Sequence, residues 1–153
     1  MSRTIDEVMA GARAGLDRLT PEAAAEAVRA GAVLVDIRPY GQRLVEGEVP
    51  DSLVVERNVL EWRFDPTSSA ALPVAHHDLH VVVLCSEGYT SSLAAAALQE
   101  LGVHRATDVV GGFRAWREAG LPTAPGGLLD VERMAPGTVR LGSAAGSAAG
   151  GAG

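Results

Sequence analysis

Cys85 is the only cysteine of the chain, and it stands where the apolar run Val81-Val82-Val83-Leu84 gives way to Ser86-Glu87-Gly88-Tyr89-Thr90-Ser91. A thiol in that setting has chemistry open to it. If the run is a strand and a helix begins near Ser91, the connecting loop can curl round the sulfur. Its amide N–H groups then form an anion nest, and the helix N-terminus adds about half a positive charge. Both favour the thiolate, the nucleophilic form. Gly88 supplies a backbone torsion closed to other residues, while the hydroxyls of Thr90 and Ser91 can donate to a second anionic atom. The plain alternative is a small hydrophobe buried at a strand end, the usual fate of a free cysteine after a Val/Leu run. The glycine and the hydroxyl-rich start of the helix weigh towards the reactive reading.

Other chemistry-bearing residues are weaker candidates. His76, His77 and His80 precede the cysteine strand, but zinc sites need three or four ligands at local spacings, and only His76 and His80 approach one. No metal is expected, and no organic cofactor. Trp62, in a stretch rich in breakers, either walls a pocket or packs its loop onto the sheet. Tyr89, an aromatic at a loop tip, is expected to be exposed, where it gates access or meets a partner.

The elements that must position the thiol follow from patterning. Ile5, Val8, Met9, Ala12, Leu16 and Leu19 recur at helical spacing. Thr20-Pro21-Glu22 is a helix start, with a hydroxyl cap, proline in the first turn and an early carboxylate. Short apolar runs at Ala32–Asp36, after the turn Pro50-Asp51-Ser52, at Val81–Leu84 and at Ala106–Val110 read as buried strands. Helices are expected from Ser91 to Leu101 and from Phe113 to Ala119, and residues 56–78 read as irregular. Strands alternating with helices predict a single α/β domain, with a roughly five-stranded parallel sheet flanked by helices on both faces. Residues 1–19 form a helical extension, 20–123 the domain, and 124–153 a flexible Gly/Ala-rich tail, since GSAAGSAAGGAG cannot bury enough to offset its ordering entropy.

Composition narrows the function. A formal net charge of -6 and a pI of about 5.1 argue against a general phosphate-backbone binder, so no nucleic-acid partner is expected. A lone cysteine excludes an internal disulfide. No run approaches the length of a membrane span, and the charged N-terminus is unlike a secretory signal; the expected location is cytoplasmic, with no membrane partner.

Leu34-Val35-Asp36-Ile37-Arg38-Pro39, Glu46-Gly47-Glu48-Val49-Pro50, the Cys85 loop with its flanks, Gly111-Gly112-Phe113-Arg114-Ala115-Trp116 and Gly120-Leu121-Pro122 occur in that order. In order and spacing they resemble the rhodanese (sulfurtransferase) family, over about Thr20 to Pro122. Each motif is short; their combination around Cys-x-x-Gly-x-Thr is specific. The resemblance implies a persulfide on Cys85, formed from a sulfane-sulfur donor such as thiosulfate or a persulfide and passed to a thiol or cyanide in a ping-pong reaction. It makes Ser86, Glu87, Gly88, Tyr89, Thr90 and Ser91 the loop that binds substrate and persulfide. Asp36 and Arg38 match the family's D-x-R pattern, so Arg38 is a candidate anion holder, weighed against an ion pair that merely fixes the strand end; Arg43 and Arg57 are further candidates.

The departures carry information. Phosphatases of this kind have a longer loop ending in an arginine that clamps phosphate, whereas no basic residue lies between Cys85 and Ser91. Glu87 would repel a dianion if it pointed inward, and the family's common G-H-I-P histidine is Glu48. Two readings therefore stand: an enzyme that turns over small sulfur donors, and a sulfur-carrier or protein-binding module with an acceptor protein as partner.

Overall fold

The computed structural model describes residues 1–127. The chain runs α1 (Ile5–Ala14), α2 (Pro21–Arg29), β1 (Val33–Asp36), α3 (Tyr40–Glu46) and β2 (Leu53–Val54). A 3-10 turn (Arg57–Val59) leads into α4 (Leu60–Phe64), followed by β3 (Val81–Leu84), α5 (Thr90–Glu100), β4 (Thr107–Asp108) and α6 (Gly112–Glu118). The four strands are parallel in the order β2-β1-β3-β4, with Val33 opposite Val81 and Asp36 opposite Leu84.

Local chemistry explains the boundaries. Thr4 caps α1 in a reciprocal box with Glu7, and the Thr20 hydroxyl accepts from the Ala23 N–H with Pro21 in the first turn of α2. All four residues of β3 are fully buried, as a central parallel strand requires. Its side chains alternate between two cores. Val81, Val83 and Cys85 join Val35, Leu60, Phe64, Ala94, Ala95 and Leu98. Val82 and Leu84 join Leu34, Ala24, Ala25, Phe113 and Trp116 on the other face. The single thiol is therefore the last residue of the α5 face before the loop begins. α1 packs against α5.

The expected five strands resolve into four. The fifth position is a single parallel bridge between Leu19 and Val109, because Thr20 and Pro21 turn the chain into α2 at once. Two helices were not expected. α3 begins directly after Pro39, whose fixed φ suits a helix start, and α4 interrupts the stretch expected to be irregular. Leu60 and Phe64, both fully buried, anchor α4 to the sheet. At the far end Ala124 still pairs with Glu48 through two backbone hydrogen bonds; the tail from Leu128 onward lies outside the described residues.

Because the chain leaves β1 for β2 on one side and returns to β3 on the other, a crevice opens between the carboxyl ends of β1 and β3. That is where α/β sheets gather their ligands.

Candidate active site

A cavity of about 430 Å³ fills this crevice. Ile37, Arg38 and Pro39 line it from β1; Gln42 and Glu46 from α3; Arg57 from the 3-10 turn; and Cys85, Ser86, Glu87, Tyr89 and Thr90 from the loop after β3. Cys85 is only 4% exposed, and its sulfur accepts the Gly88 N–H at 3.2 Å.

The loop is shaped from behind. The Phe113 N–H donates to the Cys85 carbonyl at 2.7 Å, and the Arg114 N–H to the Ser86 carbonyl at 3.0 Å. In a planar trans peptide the N–H points opposite the preceding C=O. The Ser86 and Glu87 amides are therefore turned away from α6. Close approach of α6 demands glycine: a Cβ on Gly112 would lie 2.5 Å from the Cys85 carbonyl oxygen, and Gly88 has φ 83°.

The Rhodanese-like domain profile matches residues 20–119 of this sequence. The chain belongs to the rhodanese-like domain family. A sulfurtransferase of Allochromatium vinosum is 33% identical over 96 residues, 62% of this chain and 81% of that protein. The thiosulfate sulfurtransferase GlpE of Pseudomonas savastanoi is 35% identical over 100 residues, 65% of this chain and 86% of that one. Among solved structures, a Rhodopseudomonas palustris protein of unknown function, described as a possible tyrosine phosphatase, aligns with a TM-score of 0.73 at 33% identity; the alignment covers 80% of this chain and 96% of the other.

In this rhodanese-like domain the three candidate arginines have different surroundings. Arg38 is buried: it donates to both oxygens of Asp36 at 3.0 and 2.7 Å, to Glu46 at 3.0 Å and to the Gly47 carbonyl at 2.8 Å. Its guanidinium stacks 4.3 Å from the Phe113 ring centre. Burial by itself would lower the Arg38 pKa, but the hydrogen bonds and charges of Asp36 and Glu46 outweigh it and raise the value. Those donors are already committed, so the D-x-R pair fixes the strand end. Arg43 is buried against Glu48 at 2.7 Å and does not line the cavity. Glu48, standing where the family commonly has histidine, is what draws it away. Arg57 does line the cavity, half-exposed and paired with Glu61 at 2.6 Å.

Ser91 also departs from expectation. Its hydroxyl donates to Asp108 at 2.8 Å, behind the loop rather than into the cavity. Glu87 pairs with Arg114 across the rim at 2.8 Å, both side chains largely in solvent. Tyr89 is 61% exposed at the loop tip, and Trp62, 60% exposed, lies outside the cavity lining, neither walling it nor packing on the sheet.

Gln42 and Glu46 were missed. The Ser86 hydroxyl lies 3.1 Å from the Gln42 amide oxygen and 2.9 Å from each Glu46 oxygen. The available signal was Pro39 as a helix start, which would have put Gln42 and Glu46 four residues apart on one face of α3. Among the described residues no cluster of His, Cys, Asp and Glu could hold a metal, and no helix is long and apolar enough to cross a membrane. His76 and His80 line a separate cavity with Arg105.

Proposed function

We propose that this rhodanese-like domain is a sulfurtransferase working through a persulfide on Cys85. The observation that carries the reading is the Gly88 N–H directed at the sulfur in a cavity at the strand ends. It is supported by the curated relatives, which are named as sulfurtransferases.

In the first half-reaction the Cys85 thiolate attacks the outer, sulfane sulfur of a donor R–S–SH. The donor S–S bond breaks, its electron pair leaves with RS⁻, and Cys85–S–SH remains. In the second, an acceptor thiolate or cyanide attacks that outer sulfur, forms the new S–S or S–C bond and regenerates the Cys85 thiolate. Amide donors stabilise the negative charge on sulfur in both steps. No electrons are gained or lost overall, so no redox cofactor enters.

The charges lining the cavity favour an organic persulfide over thiosulfate as donor. Glu46 and Glu87 line it, Glu87 offset at the rim by Arg114; four of the five N–H donors of Arg38 are committed, and Arg57 is already paired with Glu61. A dianion meets no unpaired guanidinium there, whereas a neutral or singly charged persulfide meets less repulsion. Steady-state transfer to cyanide tests this reading. Parallel double-reciprocal lines are expected, with kcat/KM higher for a small organic persulfide than for thiosulfate. No turnover with either donor overturns the enzyme reading.

Tyr89, exposed at the mouth, favours a second reading, in which the domain carries sulfur to an acceptor protein. Stoichiometric loading of Cys85 without turnover by small acceptors would distinguish it. The likeness to a possible tyrosine phosphatase raises phosphoryl chemistry as well. The absence of a basic residue from Cys85 to Ser91 weighs against it, and p-nitrophenyl phosphate should not be hydrolysed.

A further inference from the structure

We propose that Arg13 and Arg18, which precede the family match, are positioning residues that aim the Tyr89 N–H into the cysteine cradle by gripping the Gly88 carbonyl from behind. The two guanidinium groups converge on one oxygen: Arg13 Nη2 donates to the Gly88 carbonyl at 2.8 Å and Arg18 Nη2 at 3.0 Å. Each is itself anchored. Arg13 Nε donates to the Ser92 hydroxyl at 3.0 Å, and its guanidinium lies 5.7 Å from the Tyr89 ring centre. Arg18 holds Asp108 through both carboxylate oxygens, at 2.8 and 3.2 Å. Asp108 is fully buried and also accepts the Ser91 and Ser92 hydroxyls, at 2.8 Å each. One buried carboxylate thus ties the first turn of α5 to the same arginine that grips the loop.

The consequence for the site follows from peptide geometry. The bond between Gly88 and Tyr89 is trans, so a carbonyl held outward turns the Tyr89 N–H to the opposite side. Gly88, with φ 83°, is where such a peptide could flip, because glycine tolerates both senses of the turn. A flip would present a carbonyl oxygen, a partial negative charge, to a sulfur anion. Two charged donors on the carbonyl oppose that flip, and they polarise the amide so that its N–H is the stronger donor. The Cys85 and Ser86 carbonyls are held by α6; the Gly88 carbonyl is held by the N-terminal segment.

The inference takes Cys85 as the reacting group, but it is read on the free thiol, so it stands or falls apart from sulfur transfer. Arg13→Met removes one grip and leaves the Arg18–Asp108 pair intact. In the full chain we expect alkylation of Cys85 by iodoacetamide at neutral pH to slow roughly threefold to tenfold. The Tyr89 amide proton should also lose its response to alkylation in ¹H–¹⁵N spectra. Arg13→Lys, which keeps one charged donor, should recover part of both. A merely structural role would lower the melting temperature and move neither readout. Unchanged alkylation, or slower alkylation with the Tyr89 response intact, overturns the proposal. If Arg13→Met does not fold, Arg13→Gln is read against the same criteria.

Discussion

The Ser86 hydroxyl lies 2.9 Å from each carboxylate oxygen of Glu46, which sets a negative charge beside the residue that follows the only cysteine. Glu46 in turn is shared with Arg38 at 3.0 Å. A sulfur donor entering the cavity would therefore approach a carboxylate, and Glu46 is the group through which its charge should be sensed.

Glu46→Gln should raise kcat/KM for thiosulfate about fivefold, since a like charge is removed and Arg38 loses an anionic partner, with the effect moderated by solvent. Glu87→Gln should change it less than twofold, because Arg114 already offsets Glu87 at the rim. Neither should alter kcat/KM for a neutral persulfide by more than about twofold. Steady-state kinetics with both donors checks the contrast.

Gly112→Ala should disable the loop. A Cβ there meets three backbone atoms of it, the Cys85 carbonyl oxygen at 2.5 Å and the Glu87 and Gly88 nitrogens at 2.8 Å, at a φ of 62°. We expect roughly 2–3 kcal/mol of destabilisation in urea and loss of sulfur loading. Gly120→Ala is the control: φ is 75° but nothing lies within 4 Å, so a cost of about 1 kcal/mol with loading intact is expected.

Arg38→Ala should act on stability before it acts on substrate. It leaves Asp36 fully buried and unpaired, an arrangement that costs about 3–5 kcal/mol. Urea unfolding should report that loss. A variant of wild-type stability with a selectively raised donor KM would instead make Arg38 a substrate ligand.

His80 gives the stability a pH dependence. Burial first, and then the positive charge of Arg105, lower its pKa in the folded protein. The unfolded chain takes up this proton first as pH falls, so the contribution of neutral His80 is present above about pH 6.5 and lost below it. The melting temperature of His80→Gln should fall less between about pH 7 and pH 5 than that of the wild type.

Much of the framework was legible in the sequence because it is written in local patterns. Val81–Leu84 is a continuous apolar run, Thr20-Pro21 is a cap, and Gly111-Gly112 marks a turn, so β3, α2 and α6 fall where patterning put them. The edge of the sheet was less legible: Leu19 forms one bridge, and only the fold shows that Pro21 leaves no room for more. The site divides the same way. Cys85 and Gly88 announce themselves, but side-chain direction is a tertiary property. Ser91 turns to Asp108 because Asp108 is buried beneath α5, and Arg43 turns to Glu48 because both charges are buried and each needs the other. Arg13 and Arg18 reach Gly88 across about seventy residues of sequence, which no local pattern reports.

Acceptance of a sulfane sulfur by Cys85 can be tested directly. The protein should be incubated with a small organic persulfide, its intact mass recorded and the modified peptide mapped. We expect a gain of one sulfur atom, about 32 Da, on the peptide holding Cys85, lost on adding cyanide and absent in Cys85→Ala. A Cys85 that stays unmodified at neutral to mildly alkaline pH, with persulfide and with thiosulfate alike, would contradict it.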